Sequence, residues 1–146
     1  MRVSVIGGGS VKDEIYTAAE ELGERLGRRG GLIFCGGRGG VMEAVCKGCN
    51  GTDGKTVGIL PGRSTNSANP YVDTVVTTGL GNMRNVLVVE NGDVVVAVDG
   101  GTGTLSEIAL ALDAGKPVLG LETHDVSGVQ KVSSVDEVLE LTEKLS

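Results

Sequence analysis

The stretch Asp99-Gly100-Gly101-Thr102-Gly103-Thr104-Leu105-Ser106-Glu107 combines three glycines, two threonine hydroxyls and two carboxylates. It separates the apolar run Val94 to Val98 from the apolar run Ile108 to Leu112, so it reads as the turn from a buried strand into a helix. Glycines at such a turn let backbone N–H groups approach a phosphate, and the helix N-terminus adds the positive end of its dipole. On that reading Glu107 is a catalytic acid beside a phosphate cradle. A plainer use competes with it. Thr104-Leu-Ser-Glu107 has capping-box spacing, in which the carboxylate only satisfies a backbone N–H at the helix start. The spacing fits both.

Four further breaks between apolar runs resemble this one: Gly7 to Gly9, Gly36 to Gly40, Pro61-Gly62 and Gly79 to Gly81. Three of the seven arginines, Arg38, Arg63 and Arg84, fall on or beside these breaks. Guanidinium groups gathered there by an otherwise acidic chain suit an anionic ligand. The candidate ligand contacts are Gly8, Gly9 and Ser10 on the first loop and Gly36, Gly37 and Arg38 on the second. Asn85 follows Arg84, and Asp99, Gly100, Gly101, Thr102, Gly103 and Thr104 make up the last loop.

The elements that must position these residues follow from apolar periodicity. Strands are predicted at Arg2 to Ile6, Leu32 to Cys35, Thr56 to Leu60, Thr74 to Thr77, Asp93 to Val98 and Pro117 to Leu121, with a faint seventh at Val129 to Val132. Ile15, Ala18, Ala19, Leu22 and Leu26 lie on one face of a helix, and Leu105, Ile108, Ala109 and Leu112 mark another. Met83 to Glu90 is predicted as a buried helix, because two parallel strands need a crossover. Ser134-Val-Asp-Glu137 is a capping box opening a final helix. The alternation predicts one α/β domain over residues 1–146, with a mostly parallel sheet of six or seven strands and helices on both faces. All parallel strands end on one edge, so the glycine loops share it, and ligands of open α/β sheets bind there.

Composition narrows the function classes. The chain holds 25 glycines among 146 residues, with no collagen period. A net charge of −6 and only Phe34, Tyr16 and Tyr71 as aromatics argue against a nucleic-acid partner, and the charge also against an anionic membrane surface. The N-terminal apolar run is too short for a signal peptide, and no segment approaches a membrane span. Three cysteines, an odd count, fit a cytoplasmic location.

Several partial motifs are set aside. Gly7-Gly8-Gly9-Ser10 matches only the first two glycines of a dinucleotide fingerprint, and the second strand ends without the acidic residue that would hold a ribose. Gly54-Lys55-Thr56 precedes a strand rather than a helix, so it is no P-loop. Cys46-Lys-Gly-Cys49 lacks a second pair, and His124, the one histidine, is distant; the expectation is buried thiols and no metal.

Taken together, "VVVAVDGGTGTLSEIALALDAGKPV" from Val94 to Val118 resembles the P-G-G-x-G-T-x-x-E signature of the LOG family, long mislabelled "possible lysine decarboxylase". "CGGRGGVMEAV" is similar to that family's second glycine loop, and "GILPGRS…ANPYVDTVVTTGLGNMRN" to a Rossmann-like, molybdenum-cofactor-carrier-like branch. The resemblance, over residues 3 to 122, implies a Rossmann-like three-layer fold, a homo-oligomer and a phosphorylated nucleotide-like ligand, with no further cofactor required. It also implies hydrolysis of a nucleoside 5′-monophosphate at its N-glycosidic bond, with Gly100, Gly101, Gly103 and Thr104 on the phosphate and Arg84 and Glu107 catalytic. The alternative is a non-catalytic carrier or sensor of a nucleotide or molybdopterin-type cofactor. Lysine decarboxylation would need a Schiff-base lysine in the crevice, and the only lysine near the strand end of a glycine loop is Lys12, which opens a helix. Two positions depart from the pattern. Asn85 stands where the family has lysine, and Asp99 where the signature opens on proline. A carboxylate ~5 Å from a phosphate costs roughly 3 kcal/mol at an effective dielectric of about 20. Asp99 is therefore expected to face a ribose hydroxyl, a cation or an arginine, unless the ligand is not a simple monophosphate.

Overall fold

The computed structural model describes residues 1–146. The chain runs β1 (Arg2–Gly7), α1 (Asp13–Arg28), β2 (Leu32–Cys35), α2 (Val41–Cys49), β3 (Lys55–Leu60), β4 (Thr74–Thr77), α3 (Asn85–Asn91), β5 (Val94–Val98), α4 (Thr102–Asp113), β6 (Val118–Leu121), β7 (Val129–Val132) and α5 (Val135–Leu145). Short 3-10 turns at Thr65–Ser67 and Gly81–Arg84 complete it. The seven strands form one sheet in the order β4-β3-β2-β1-β5-β6-β7. Every pairing is parallel, so the expected "mostly parallel" sheet is wholly so. The faint seventh strand is real: Val118 to Leu121 pair in register with Val129 to Val132.

The alternation of side chains along a strand divides the core into two layers. On β5, Val94, Val96 and Val98 face a cluster that includes Ala19, Leu22 and Leu26 of α1, Ala44 and Val45 of α2, and Val138 and Leu139 of α5. Val95 and Ala97 face the other way, toward Val88 and Val89 of α3 and Ile108 and Ala111 of α4. Buried on both faces, β5 reads as a continuous apolar run, as a central parallel strand should.

The helix expected at Met83 to Glu90 forms, but it is not buried all round. Its 3.6-residue period turns Asn85, Val88 and Val89 to the sheet. Met83, Val86 and Leu87 point outward, with Met83 72% exposed. No helix is long and apolar enough to cross a membrane.

The strand order turns back between β1 and β5: β2, β3 and β4 lie on one side, β6 and β7 on the other. The loops leaving β1 and β5 therefore diverge and open a crevice at the carboxyl ends of those strands.

Candidate functional site

A cavity of about 350 Å³ fills that crevice. Three glycine turns form its floor: Gly7 to Gly9 after β1, Gly36 after β2, and Gly101 to Thr104 after β5. Met42, Asn82, Arg84, Asn85 and Glu107 close its sides. The loops predicted to share one edge thus meet around one space, except Pro61-Gly62 and Gly79 to Gly81, which stay outside it.

Helix α4 supplies the donors. Its N-cap is Gly101, and no side chain caps the helix. First-turn amides of an α-helix have no acceptor within it, so those of α4 are free to bind an anion at the cavity. Gly100 holds the turn that aims them. It sits at φ 113°, and a Cβ there would lie 2.3 Å from the Thr104 Oγ1. From outside, the His124 ring nitrogen Nε2 lies 2.9 Å from the Gly101 carbonyl oxygen and braces the turn.

Arg84 is 9% exposed. Its Nε donates to the Ile59 carbonyl at 2.9 Å, and its Nη1 donates to the Asn85 Oδ1. The guanidinium lies against Gly36, where an added Cβ would come within 2.7 Å of Nη2. Gly36 is therefore glycine to admit the arginine. Burial lowers the Arg84 pKa, Glu107 opposes that effect and Arg38 adds to it.

Glu107 is likewise 9% exposed. Burial raises its pKa from 4.5 to about 7, against the pull of Arg84. No sealed side-chain polar atom in the protein lacks a partner, so the carboxyl group opens onto the cavity. The capping alternative is excluded by the helix start. Helix α4 begins at Thr102, which makes Thr104 its third residue and puts Glu107 in its second turn.

The remaining candidates lie elsewhere. Gly37 and Arg38 offer their carbonyls to the Asn69 backbone N–H and side-chain amide, each at 2.9 Å, and so tie down the loop after β3. Arg63 packs on Gly79. Of the three arginines on the loops, only Arg84 reaches the cavity. Gly100 supports the cavity without lining it. Ser10 and Asp99 line a separate concavity of about 740 Å³ with Val11, Lys12, Glu14, Ile15 and Glu122.

Asp99 adopts φ 53°, a left-handed conformation that aspartate tolerates better than most residues. Proline, locked near −65°, cannot take it. The loop thus leaves β5 by a path closed to the proline of the signature. Of the partners expected for Asp99, a ribose hydroxyl, a cation or an arginine, the arginine is absent: Asp99 forms none of the ion pairs in the chain.

Asn82 and Met42 line the cavity without having been singled out. Asn82 carried a weak signal, lying two residues before Arg84 in a glycine-rich turn. All three cysteines are free and buried. Cys46 faces Cys35 at 3.6 Å rather than its motif partner Cys49, and no cluster of metal-ligating side chains occurs.

Residues 1–145 match the SLOG cluster4 family. The chain belongs to the SLOG cluster4 family. Among solved structures, this SLOG cluster4 chain is similar to the molybdenum cofactor binding protein of Rippkaea orientalis, with TM-score 0.92 and 36% identity over 98% of this chain and 95% of that one. It is also similar to the Moco carrier protein of Chlamydomonas reinhardtii, with TM-score 0.88 and 34% identity over 99% and 96% of the two chains. A probable cytokinin riboside 5′-monophosphate phosphoribohydrolase of Oryza sativa subsp. japonica is 32% identical over 73% of this chain and 46% of its own length. The SLOG cluster4 chain thus spans about half of that relative.

Proposed function

We propose that this protein binds a phosphorylated, nucleotide-like ligand, with the phosphate held by the amides of Gly8, Gly9 and Gly101 to Thr104 and by Arg84. One observation carries the reading: separate glycine turns and a single buried guanidinium converge on one cavity at the point where the strand order reverses. Anion binding by helix-terminal amides needs no bound metal.

The same cavity suits cleavage of an N-glycosidic bond. Water adds to the anomeric carbon of a nucleoside 5′-monophosphate, the base leaves with its bonding electron pair and takes up a proton, and ribose 5-phosphate remains. Positive charge develops at the anomeric carbon on the way, and the ionised Glu107 carboxylate stabilises it. With a Glu107 pKa of about 7, kcat/KM for base release rises with pH through that value. Incubation with a panel of nucleoside monophosphates, followed for free base, tests this activity.

A second reading rests on the likeness to the Rippkaea and Chlamydomonas proteins over nearly the whole chain: a carrier that holds a phosphorylated cofactor without cleaving it. Tight binding of a phosphorylated ligand with no base released from any monophosphate selects the carrier. Failure of every such ligand to bind overturns both readings.

The protein is a homo-oligomer on this proposal, joined through the outward apolar face that Met83 and Val86 share with Ala109 and Leu110. A single-chain mass by light scattering would remove that assignment. The free, buried thiols fit a reducing cytoplasm.

A further inference from the structure

On the phosphate-binding reading, two acids share one space. The Glu107 carboxyl group and a phosphate monoester both occupy a cavity of about 350 Å³. Above about pH 6 such a monoester is a dianion. Arg84 is the one cation in the cavity lining, and every lining side chain other than Arg84 and Glu107 is neutral. The free amides of α4 add roughly half a positive charge. With Glu107 ionised, its charge cancels the guanidinium, and the dianion is left with the helix end alone. With Glu107 neutral, the guanidinium serves the ligand.

Nothing in the protein is placed to keep Glu107 ionised once an anion arrives. No ion pair joins it to Arg84. The Arg84 Nε and Nη1 are engaged by the Ile59 carbonyl and the Asn85 side chain. Arg38 and the buried Cys35 thiol act on Arg84 rather than on Glu107. His124 touches the α4 turn from outside, while Asp99 and Lys12 lie in the separate concavity. The elements packed against α4 bring no other charge to the site. Strands β5 and β6 are wholly apolar, Arg2 opens β1 at the opposite edge of the sheet, and Glu90 sits at the far end of α3. Glu107 is nevertheless 9% exposed and opens onto the cavity. Burial of that kind already favours its neutral form, with a pKa of about 7. A neutral carboxyl group also has an O–H to donate, and an anionic phosphate oxygen is a strong acceptor for it.

We infer that the phosphorylated ligand enters this cavity together with a proton, taken up by Glu107, whose neutral carboxyl group donates a hydrogen bond to the phosphate. The inference rests on the phosphate-binding reading and deepens it: acid loads the site and alkali unloads it. The proton comes from solvent, the carboxyl O–H is the one covalent bond made, and the ligand loses nothing. Cleavage of a bound nucleotide is compatible with this, because binding and turnover then use different protonation states of one residue. The bound phosphate holds the proton on Glu107, so kcat rises with pH in a higher range than kcat/KM does.

Calorimetric titration of the full chain with ribose 5-phosphate, at pH 8 and pH 5 and in two buffers of different ionisation heat, counts the protons bound with the ligand. The wild type is expected to take up about half a proton or more at pH 8 and almost none at pH 5, where Glu107 is already neutral. Glu107→Gln carries a donor in place of the acid and cannot titrate, so its uptake at pH 8 is expected to vanish. It is also expected to bind ribose 5-phosphate about tenfold or more tightly than wild type at pH 8, and to within about threefold of wild type at pH 5. Comparing variant with wild type at each pH cancels the ligand's own ionisation, and a thermal melt checks the fold. Should Glu107→Gln fail to melt cooperatively, Glu107→Ala repeats the proton count, since it also removes the titrating group. The inference is overturned if the wild type takes up no proton at pH 8, if uptake survives removal of the carboxyl group, or if Glu107→Gln shifts affinity equally at both pH values. Binding of ribose 5-phosphate without proton uptake leaves the phosphate reading standing; failure to bind at either pH overturns both.

Discussion

Helix α5 opens on Ser134-Val-Asp-Glu137 and helix α4 contains Thr104-Leu-Ser-Glu107, the same spacing of hydroxyl and carboxylate. At α5 the spacing does what a capping box does. The Ser134 Oγ accepts the Glu137 N–H at 3.2 Å, and the Glu137 carboxylate reaches back to accept the Ser133 N–H at 2.8 Å. At α4 the helix has already begun at Thr102 behind an uncapping glycine, so Thr104 and Glu107 face a cavity instead. A helix that caps itself has spent its free donors, and one that starts on glycine keeps them for a ligand. The starting residue, not the spacing, separates the two.

The largest expected difference between these ends is catalytic. If base release occurs, Glu107→Gln lowers kcat by about 10² or more, since it removes a charge aimed at the reacting carbon. Glu137→Gln leaves base release unchanged, because glutamine can still accept the Ser133 N–H. Loss of activity in both variants, or in neither, would erase the distinction.

Stability against pH comes next. The folded pKa of Glu107, about 7, lies above its ordinary 4.5. Between those values the unfolded chain releases the proton first, so this residue makes stability fall as pH rises, with the full cost above pH 7. That cost is on the order of 3 kcal/mol. Glu107→Gln is therefore expected to be the more stable protein at pH 8 and equal to wild type at pH 4, measured by urea melts at each pH.

A smaller test converts one helix end into the other. Gly101 sits at φ −105°, and a Cβ there meets nothing within 4 Å. Gly101→Asp should cap α4 and raise stability by a few tenths of a kcal/mol. Its charge should also weaken ribose 5-phosphate binding by roughly tenfold. In the reverse direction, Ser134→Ala should cost about 1 kcal/mol in thermal unfolding with ligand affinity untouched.

Much of the fold was legible because glycines punctuate apolar runs of strand length, and even β7 could be glimpsed. Its signal was faint since Gln130 and Lys131, exposed on an edge strand, interrupt the apolar pattern. Arg84 and Glu107 could be picked out. What could not be decided was whether Glu107 caps a helix, because Gly101-Thr-Gly-Thr104 is poor helix-forming sequence and disguises where α4 begins. Arg38 misled for a related reason: its place on a glycine loop is plain in sequence, but its carbonyl does the structural work there. The second concavity had almost no signature. Asp99 and Glu122 lie far apart in the chain and share it because β5 and β6 are neighbours, each followed by an acidic residue at positive φ.

The backbone at Asp99 has an evolutionary consequence. Chains that open this loop on proline and chains that open it on aspartate cannot interconvert by exchanging that side chain alone, because the two residues demand opposite signs of the same torsion. A lineage crossing between them has to pass through a residue indifferent to that sign, glycine above all, or re-route the turn at the same time. The two versions are distinct backbone solutions, and a ligand preference acquired with one does not transfer to the other by a point mutation.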